Sequence, residues 1–330
     1  MMTARGHRLR YCVLGALFTG LASLACDLPP EGRAESAGAD ATRAGDDTNV
    51  MRDVAETPEV ADDPRVILVT GSTGGLGREV ARRLAAGGAH VIVHGRNVER
   101  GNSLVREIEE SGTGSARFYR ADFGSLANVR ELAEAIRRDY DRLDVLVNNA
   151  GILVSPNERP VSEDGHELHF QVNYLAGFLL THLLMPLLEE SAPARIVNVS
   201  SLSSAPLEFG NLMLEDGYST GRAYGQSKLA QVMFTISLDE RLEGTGITVN
   251  AIHPATFMDT DMVRDFGMEP RTTVDEGADA VMNLIDYDGV GSGEFYNGLE
   301  RFRAHRQAYD AEVRARLWQV SEELTGLSDG

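Results

Sequence analysis

A phenol and an ammonium four residues apart are the chemical core of this sequence. Tyr224 and Lys228 stand in the run Tyr224-Gly225-Gln226-Ser227-Lys228, which leads into the helical pattern Leu229 to Leu242. On a helix that spacing puts both side chains on one face, one turn apart. A free tyrosine, with a pKa of about 10, is a poor acid at neutral pH. An ammonium beside it favours the phenolate and lowers that value, so the pair suits general acid/base work. Arginine would serve badly here, being wide and holding its proton permanently. Of the 31 Lys+Arg residues, 30 are arginine and one, Lys228, is lysine. A solvated lysine beside a core tyrosine is the commoner meaning of such a pair, but it gives no reason for the single lysine to stand here.

Ser200 and Ser201 end an apolar strand-like run, Arg195 to Val199. A hydroxyl at a strand's C-terminal end faces the crevice where α/β folds bind ligands, so Ser201 could hydrogen-bond a substrate oxygen beside Tyr224. Asn173, in the helical stretch Glu163 to Glu189, could hold a water in a proton relay. His166 and His169 have helical spacing that makes half a metal site, but no further ligand cluster completes it. They read as surface helix, and no metal is expected. His253, at a strand end before Pro254, reads as structural.

The elements that must carry these residues begin at Arg65, where apolar strands and amphipathic helices start to alternate. That alternation is the pattern of a parallel α/β sheet. Strands are expected at 66–69, 90–94, 116–121, 145–147, 195–199 and 247–251. The first feeds Thr70-Gly71-Ser72-Thr73-Gly74-Gly75-Leu76-Gly77 and then a helix-like Arg78 to Ala86. A glycine turn between strand and helix lets the backbone approach a pyrophosphate, which the helix N-terminus stabilises. The second strand ends in Gly95-Arg96-Asn97. NAD-selective folds place an acid there for the ribose hydroxyls. Arg96 could instead pair with a 2′-phosphate, which predicts NADP(H) as the preferred cofactor over NAD(H). Asp122 closes the third strand, in reach of an adenine edge. Asn148-Asn149-Ala150-Gly151 closes the fourth, with two amides to tie neighbouring loops and small residues to leave room for a cofactor.

Together these residues resemble the classical short-chain dehydrogenase/reductase family over about residues 64–300. The matching pieces are the T-G-x-x-x-G-x-G turn at 70–77, Asp122, N-N-A-G at 148–151, Asn173, Ser201, and Tyr224 with Lys228. Ala223 to Thr235 and the 22 residues between Ser201 and Tyr224 are similar to the retinol-dehydrogenase-like branch. The resemblance implies a single Rossmann-type doubly wound α/β domain with strand order 3-2-1-4-5-6-7. It implies hydride transfer between a nicotinamide and an alcohol or carbonyl, with Asn173, Ser201, Tyr224 and Lys228 as the catalytic tetrad. Thr70, Gly71, Ser72, Thr73, Gly75, Leu76, Gly77, Arg96, Asp122, Asn149, Ala150, Gly151, Pro254 and Thr260 would then contact or shape the cofactor site, with Tyr224 and Lys228. The sequence departs from the family after the sixth strand. Ala255 stands where a glycine is usual, and the run to Thr260 is one residue longer. Residues 257–273, with Met258, Met262, Phe266 and Met268, read as a substrate lid fitting a hydrophobic small molecule, though core packing explains such residues equally well. A non-catalytic NADPH-sensing module is disfavoured by the complete tetrad, and an extended-family epimerase or dehydratase by the turn spacing and the lack of a long C-terminal substrate domain.

Charge divides the 330-residue chain into three regions. The formal net charge is −19, too acidic a surface for nucleic-acid binding to be the main business. Residues 1–26 carry Arg5, Arg8 and Arg10 and no acid. With the apolar run that follows and the ending Ser23-Leu24-Ala25-Cys26, they match the plan of a signal peptide. The ending resembles a bacterial lipobox, with Ser23 where leucine is usual, and so implies a lipid anchor at Cys26 and a membrane-anchored protein. Synthesis starting near Met51 would instead leave a cytoplasmic enzyme. Residues 27–63 are acidic and aperiodic and read as a disordered tether. Both cysteines, Cys12 and Cys26, fall in the first region, which excludes disulfide, thiolate-metal and cysteine-nucleophile chemistry from residues 64–330. The stretch Gln307 to Leu324, with Tyr309, Val313, Leu317 and Val320 at helical spacing, reads as an amphipathic helix packing on the domain or covering a homo-oligomer interface.

Overall fold

The computed structural model of the chain describes residues 63–154 and 159–327. The signal-like segment, Cys26 and the tether up to Asp62 lie outside the described residues. Strands β1, β4, β5 and β6 are short, largely apolar runs buried on both faces, which suits a parallel sheet covered by helices. β1 (Val66–Val69) is entirely buried. α1 (Gly75–Ala86), β2 (His90–Gly95), α2 (Val98–Ser111), β3 (Ser115–Arg120), α3 (Leu126–Asp139) and β4 (Val145–Asn148) complete the first half. The second half runs α4 (Leu168–Phe170), α5 (Ala176–Glu190), β5 (Ala194–Val199), α6 (Thr220–Arg241), β6 (Ile247–His253), α7 (Asp261–Asp265), α8 (Val274–Asp286), β7 (Phe295–Asn297), β8 (Glu300–Arg301) and α9 (Ala311–Thr325).

The sheet order is β3-β2-β1-β4-β5-β6-β7-β8. The first seven strands are parallel, in the expected order. β8 pairs antiparallel with β7 and was not expected; at two residues it has too little periodicity to be seen in sequence. Chain order reverses between β1 and β4, so the crevice for a ligand opens at their C-terminal ends. One face of the sheet is covered by α3, α5, α6 and α9 and the other by α1, α2 and α8, giving two apolar layers around Leu68, Leu146 and Phe178 and around Ile67, Val91 and Val281.

Two expected helices differ in their bounds. The helix expected from Glu163 begins only at Leu168, because Glu167 caps it, accepting from the Phe170 amide at 2.8 Å. A π-helical turn, Gln171–Leu175, joins α4 to α5. His166 therefore lies outside the helix, and His169 is fully buried, its Nδ1 2.8 Å from a Glu167 carboxylate oxygen; the surface-helix expectation fails for both. The C-terminal helix breaks after a 3₁₀ turn, Arg306–Tyr309, and restarts as α9 where Asp310 accepts from the Glu312 and Val313 amides. Tyr309 is left exposed, while Leu317 is buried and Trp318 packs edge-on against Phe178. α9 thus packs on the domain. Among the described residues, one helical stretch, Leu168–Glu190, is long and apolar enough to cross a membrane, and it is mostly buried in this core.

Candidate active site

Tyr224 and Lys228 lie in the second and third turns of α6, which starts where Ser219 accepts from the Arg222 amide at 3.3 Å. The loop carrying Ser201 is drawn onto this helix at Gly225: a Cβ there would lie 2.9 Å from the Ala205 nitrogen. Only a glycine permits that approach, and the approach brings Ser201 beside the phenol. Lys228 Nζ lies 5.7 Å from the centroid of the Tyr224 ring and donates to the Val199 carbonyl at 2.9 Å and Gln231 Oε1 at 3.0 Å. Burial pushes its pKa down to about 7. Burial also pushes the Tyr224 phenol above the usual tyrosine value, with a hydrogen bond to Ser201 opposing. The expected lowering of the phenol by the ammonium is therefore corrected: desolvation acts on both groups, favouring neutral phenol and neutral amine.

Asn173 sits in the π-helical turn, which rotates its amide towards the segment after β4. It donates to the Ile152 carbonyl at 3.1 Å and Ser227 Oγ at 3.0 Å, and accepts from the Ile152 amide at 2.7 Å. Both of its N–H groups are thus held by protein. Gly151 packs closely on both groups: a Cβ there would meet Asn173 Oδ1 at 3.3 Å and Lys228 Nζ at 3.5 Å. The Asn173 amide oxygen and the Lys228 amine thus both lie against Gly151.

The glycine turn is tied to β4 by its own side chains. Thr70 Oγ1 accepts from the amides of Asn149 and Ala150, each at 2.9 Å. Asn149 Nδ2 donates back to the Thr70 carbonyl at 2.8 Å and occupies the space over Gly77. Gly71 takes a left-handed φ of +64°, and a Cβ on it would lie 2.8 Å from Ala150 Cα. Ser72 faces away from the crevice: its Oγ accepts from the His94 amide at 3.0 Å and its own amide donates to the His94 carbonyl. Leu76 is buried in the core, and Pro254 is buried after β6. Thr73 lies against Gly95, and Thr260 against Gly75, where a Cβ would meet its Cγ2 at 3.2 Å. Arg96 is exposed and stands 3.6 Å from Asp122, whose Oδ1 accepts from the Gly124 amide. Phe257, with a φ of +52°, takes up the irregular path after Ala255. Met258 packs between the Leu76 side of the core and Gly277, so it serves packing.

Sequence reasoning missed His94, Ser227 and Gln231. His94 is fully buried, and its Nδ1 accepts from the Gly71 amide at 3.2 Å beneath the glycine turn. Burial holds its pKa down to about 4. A polar residue ending an otherwise apolar strand was the available signal. Gln231, one helical turn beyond Lys228, and Ser227 beside it carried none, because a polar residue on a helix is ordinary.

The short chain dehydrogenase family matches residues 65–270. The chain belongs to that family. It is an alcohol/carbonyl oxidoreductase. Human retinol dehydrogenase 11 is 36% identical over 278 residues, covering 80% of this chain and 86% of that protein. Mouse retinol dehydrogenase 13 is 36% identical over 288 residues, covering 80% and 84%. Among solved structures, the Pseudomonas aeruginosa RhlG/NADP active-site complex is 29% identical with a TM-score of 0.59, covering 71% of this chain and 94% of that one. A Burkholderia cenocepacia short chain dehydrogenase in complex with NADP is 28% identical with a TM-score of 0.58, covering 71% and 95%.

Proposed function

We propose that the protein reduces or forms a carbonyl on a hydrophobic small molecule using NADP(H), with Tyr224 as general acid/base. The convergence of the half-buried Tyr224 and Ser201 on the buried Lys228 at the C-terminal end of β5 carries this reading. The glycine turn fits a dinucleotide, because the positive φ of Gly71 and Gly75 and the close packing of Gly71 on Ala150 let a tight strand-to-helix turn present the N-terminus of α1. Gly71, Thr73, Gly75, Asn149 and Thr260 would border it, and Arg96 would meet the 2′-phosphate, exchanging its pairing with Asp122. NADPH, when bound, supplies the hydride. Ser201 orients the substrate oxygen, and Tyr224 donates its proton to that oxygen. Lys228, poised near neutrality beside the Tyr224 ring, returns a proton to the phenol, with Asn173 and Gly151 packed against it.

Tyr224→Phe tests the mechanism: NADPH binding is retained and turnover of aldehydes and ketones falls by at least about a hundredfold. Unchanged turnover would overturn it. Arg96→Ala tests the cofactor preference by raising KM for NADPH while leaving KM for NADH nearly unmoved. The lipid anchor at Cys26 is part of the same proposal, and labelling with palmitate should disappear in Cys26→Ser.

A further inference from the structure

Among the described residues, Gln231 is the one side chain hydrogen-bonded to the Lys228 amine. It stands three residues further along α6, so the two side chains share a face, and its Oε1 accepts from Nζ at 3.0 Å. The Val199 carbonyl at the end of β5 accepts a second N–H at 2.9 Å. Gln231 is buried, and a buried amide costs free energy unless it is bonded. Among the described residues no carboxylate pairs with the amine. The groups round it are Tyr224 on its own helix, His253 at the end of β6, Asn173 of the π-helical turn and Gly151 after β4. His253 is neutral above about pH 4, and burial holds the phenol above the usual tyrosine value. Lys228 alone of these titrates near neutrality.

The residue type at 231 bears on that titration. An ammonium has three N–H groups and a neutral amine two. Two fixed acceptors satisfy the neutral amine completely and leave the ammonium with one further proton. A carboxylate at 231 would hold the ammonium permanently, and an apolar side chain would leave burial unopposed and the amine neutral. An amide accepts the same bond without adding charge.

We propose that Gln231 is a positioning residue of the reaction: with the Val199 carbonyl it engages two N–H groups of Lys228, leaving the third proton as the one passed to the phenol. This rests on the roles proposed for Tyr224 and Lys228. Once Tyr224 has given its proton to the substrate oxygen, the third proton of Lys228 passes to the phenolate. The amine is left neutral with both remaining N–H groups bonded, and solvent reprotonates it.

Lys228 is the only lysine of the chain, so the full chain labelled at the lysine ε-carbon gives one side-chain NMR signal that follows the amine's protonation. Relative to the wild type, Gln231→Glu should raise the midpoint by about one pH unit or more. Gln231→Met should lower it by about one. Carbonyl reduction at saturating NADPH should follow, because its alkaline limb falls as Lys228 loses its proton. Gln231→Met should be about fivefold slower at pH 7 and regain most of that by about pH 5.5, while Gln231→Glu keeps its rate to higher pH. A side chain that only packs would shift neither midpoint. Midpoints unmoved in both variants, or moved the same way in both, would overturn the proposal. Midpoints that part while the rate profiles stay together would support the hold on the amine and defeat the relay proposed at Tyr224.

Discussion

The floor of the crevice and its rim are held by different kinds of interaction. On the floor, Thr70, Asn148, Asn173 and Lys228 are buried and bonded across β1, β4, β5 and α6. A polar group buried without its partner costs about 1–3 kcal/mol, so these positions cannot drift. On the rim, Arg100 and Asp261 pair at 3.0 Å with more than half of each side chain exposed, and Arg264 pairs with Asp259 and Asp261 equally in the open. Such pairs contribute about 0–1 kcal/mol each and are screened by salt. The floor is therefore held by bonds that are costly to lose, and the rim by pairs that can change cheaply.

The sharpest way to break this contrast is at Lys228, where function and stability should part. Lys228→Met should lower turnover by about a hundredfold or more, yet keep or raise Tm. A lysine held at about 7 instead of 10.5 costs several kcal/mol at neutral pH, at about 1.36 kcal/mol per unit. A marked fall in Tm would show that its bonds to Val199 and Gln231 outweigh that cost.

Acid should act next. His94 ionises at about 4 in the fold against about 6.5 when unfolded, so the unfolded chain binds more protons between those values. The stabilisation is fully present above pH 6.5, falls as pH drops towards 4, and totals about 3 kcal/mol. His253, also held down to about 4, acts in the same direction. Urea unfolding at pH 7, 5.5 and 4 reads the slope, and His94→Gln should flatten it in part; an unchanged slope would remove His94 from the account.

Thr70→Val should cost about 2 kcal/mol by leaving the Ala150 amide without its acceptor and the Asn149 amide with only the Val147 carbonyl, and should weaken cofactor binding along with stability. At the rim, Arg100→Ala should change stability by less than about 0.5 kcal/mol. A loss as large as that of Thr70→Val would erase the distinction between floor and rim.

Much of the floor was legible before the fold because its residue types are demanding. The single lysine, the glycine spacing at 71, 75 and 77, and the paired amides at 148 and 149 each have few other uses. Six parallel strands follow from strand-like runs alternating with helices, whereas the sheet order and the seventh strand were implied only by the family resemblance. The failures share another cause. His169 has helical spacing, but Glu167 pairs with it inside the core, a contact that periodicity does not show. Met258 could have faced a ligand or the core, and only its packing against Gly277 decides. Ser72 matches the turn motif by position, yet its hydroxyl is spent on β2.

By itself the sequence determined the reaction type and the parallel α/β scaffold, because acid/base groups and close-approach glycines are constrained locally, within one turn of helix or one loop. Tertiary structure alone decided which polar groups are desolvated and where the molecule encloses a cavity. Desolvation of Lys228 depends on helices and strands far apart in the chain, and a cavity beside Ser201 exists only where Arg303 and His305 are folded back against α6.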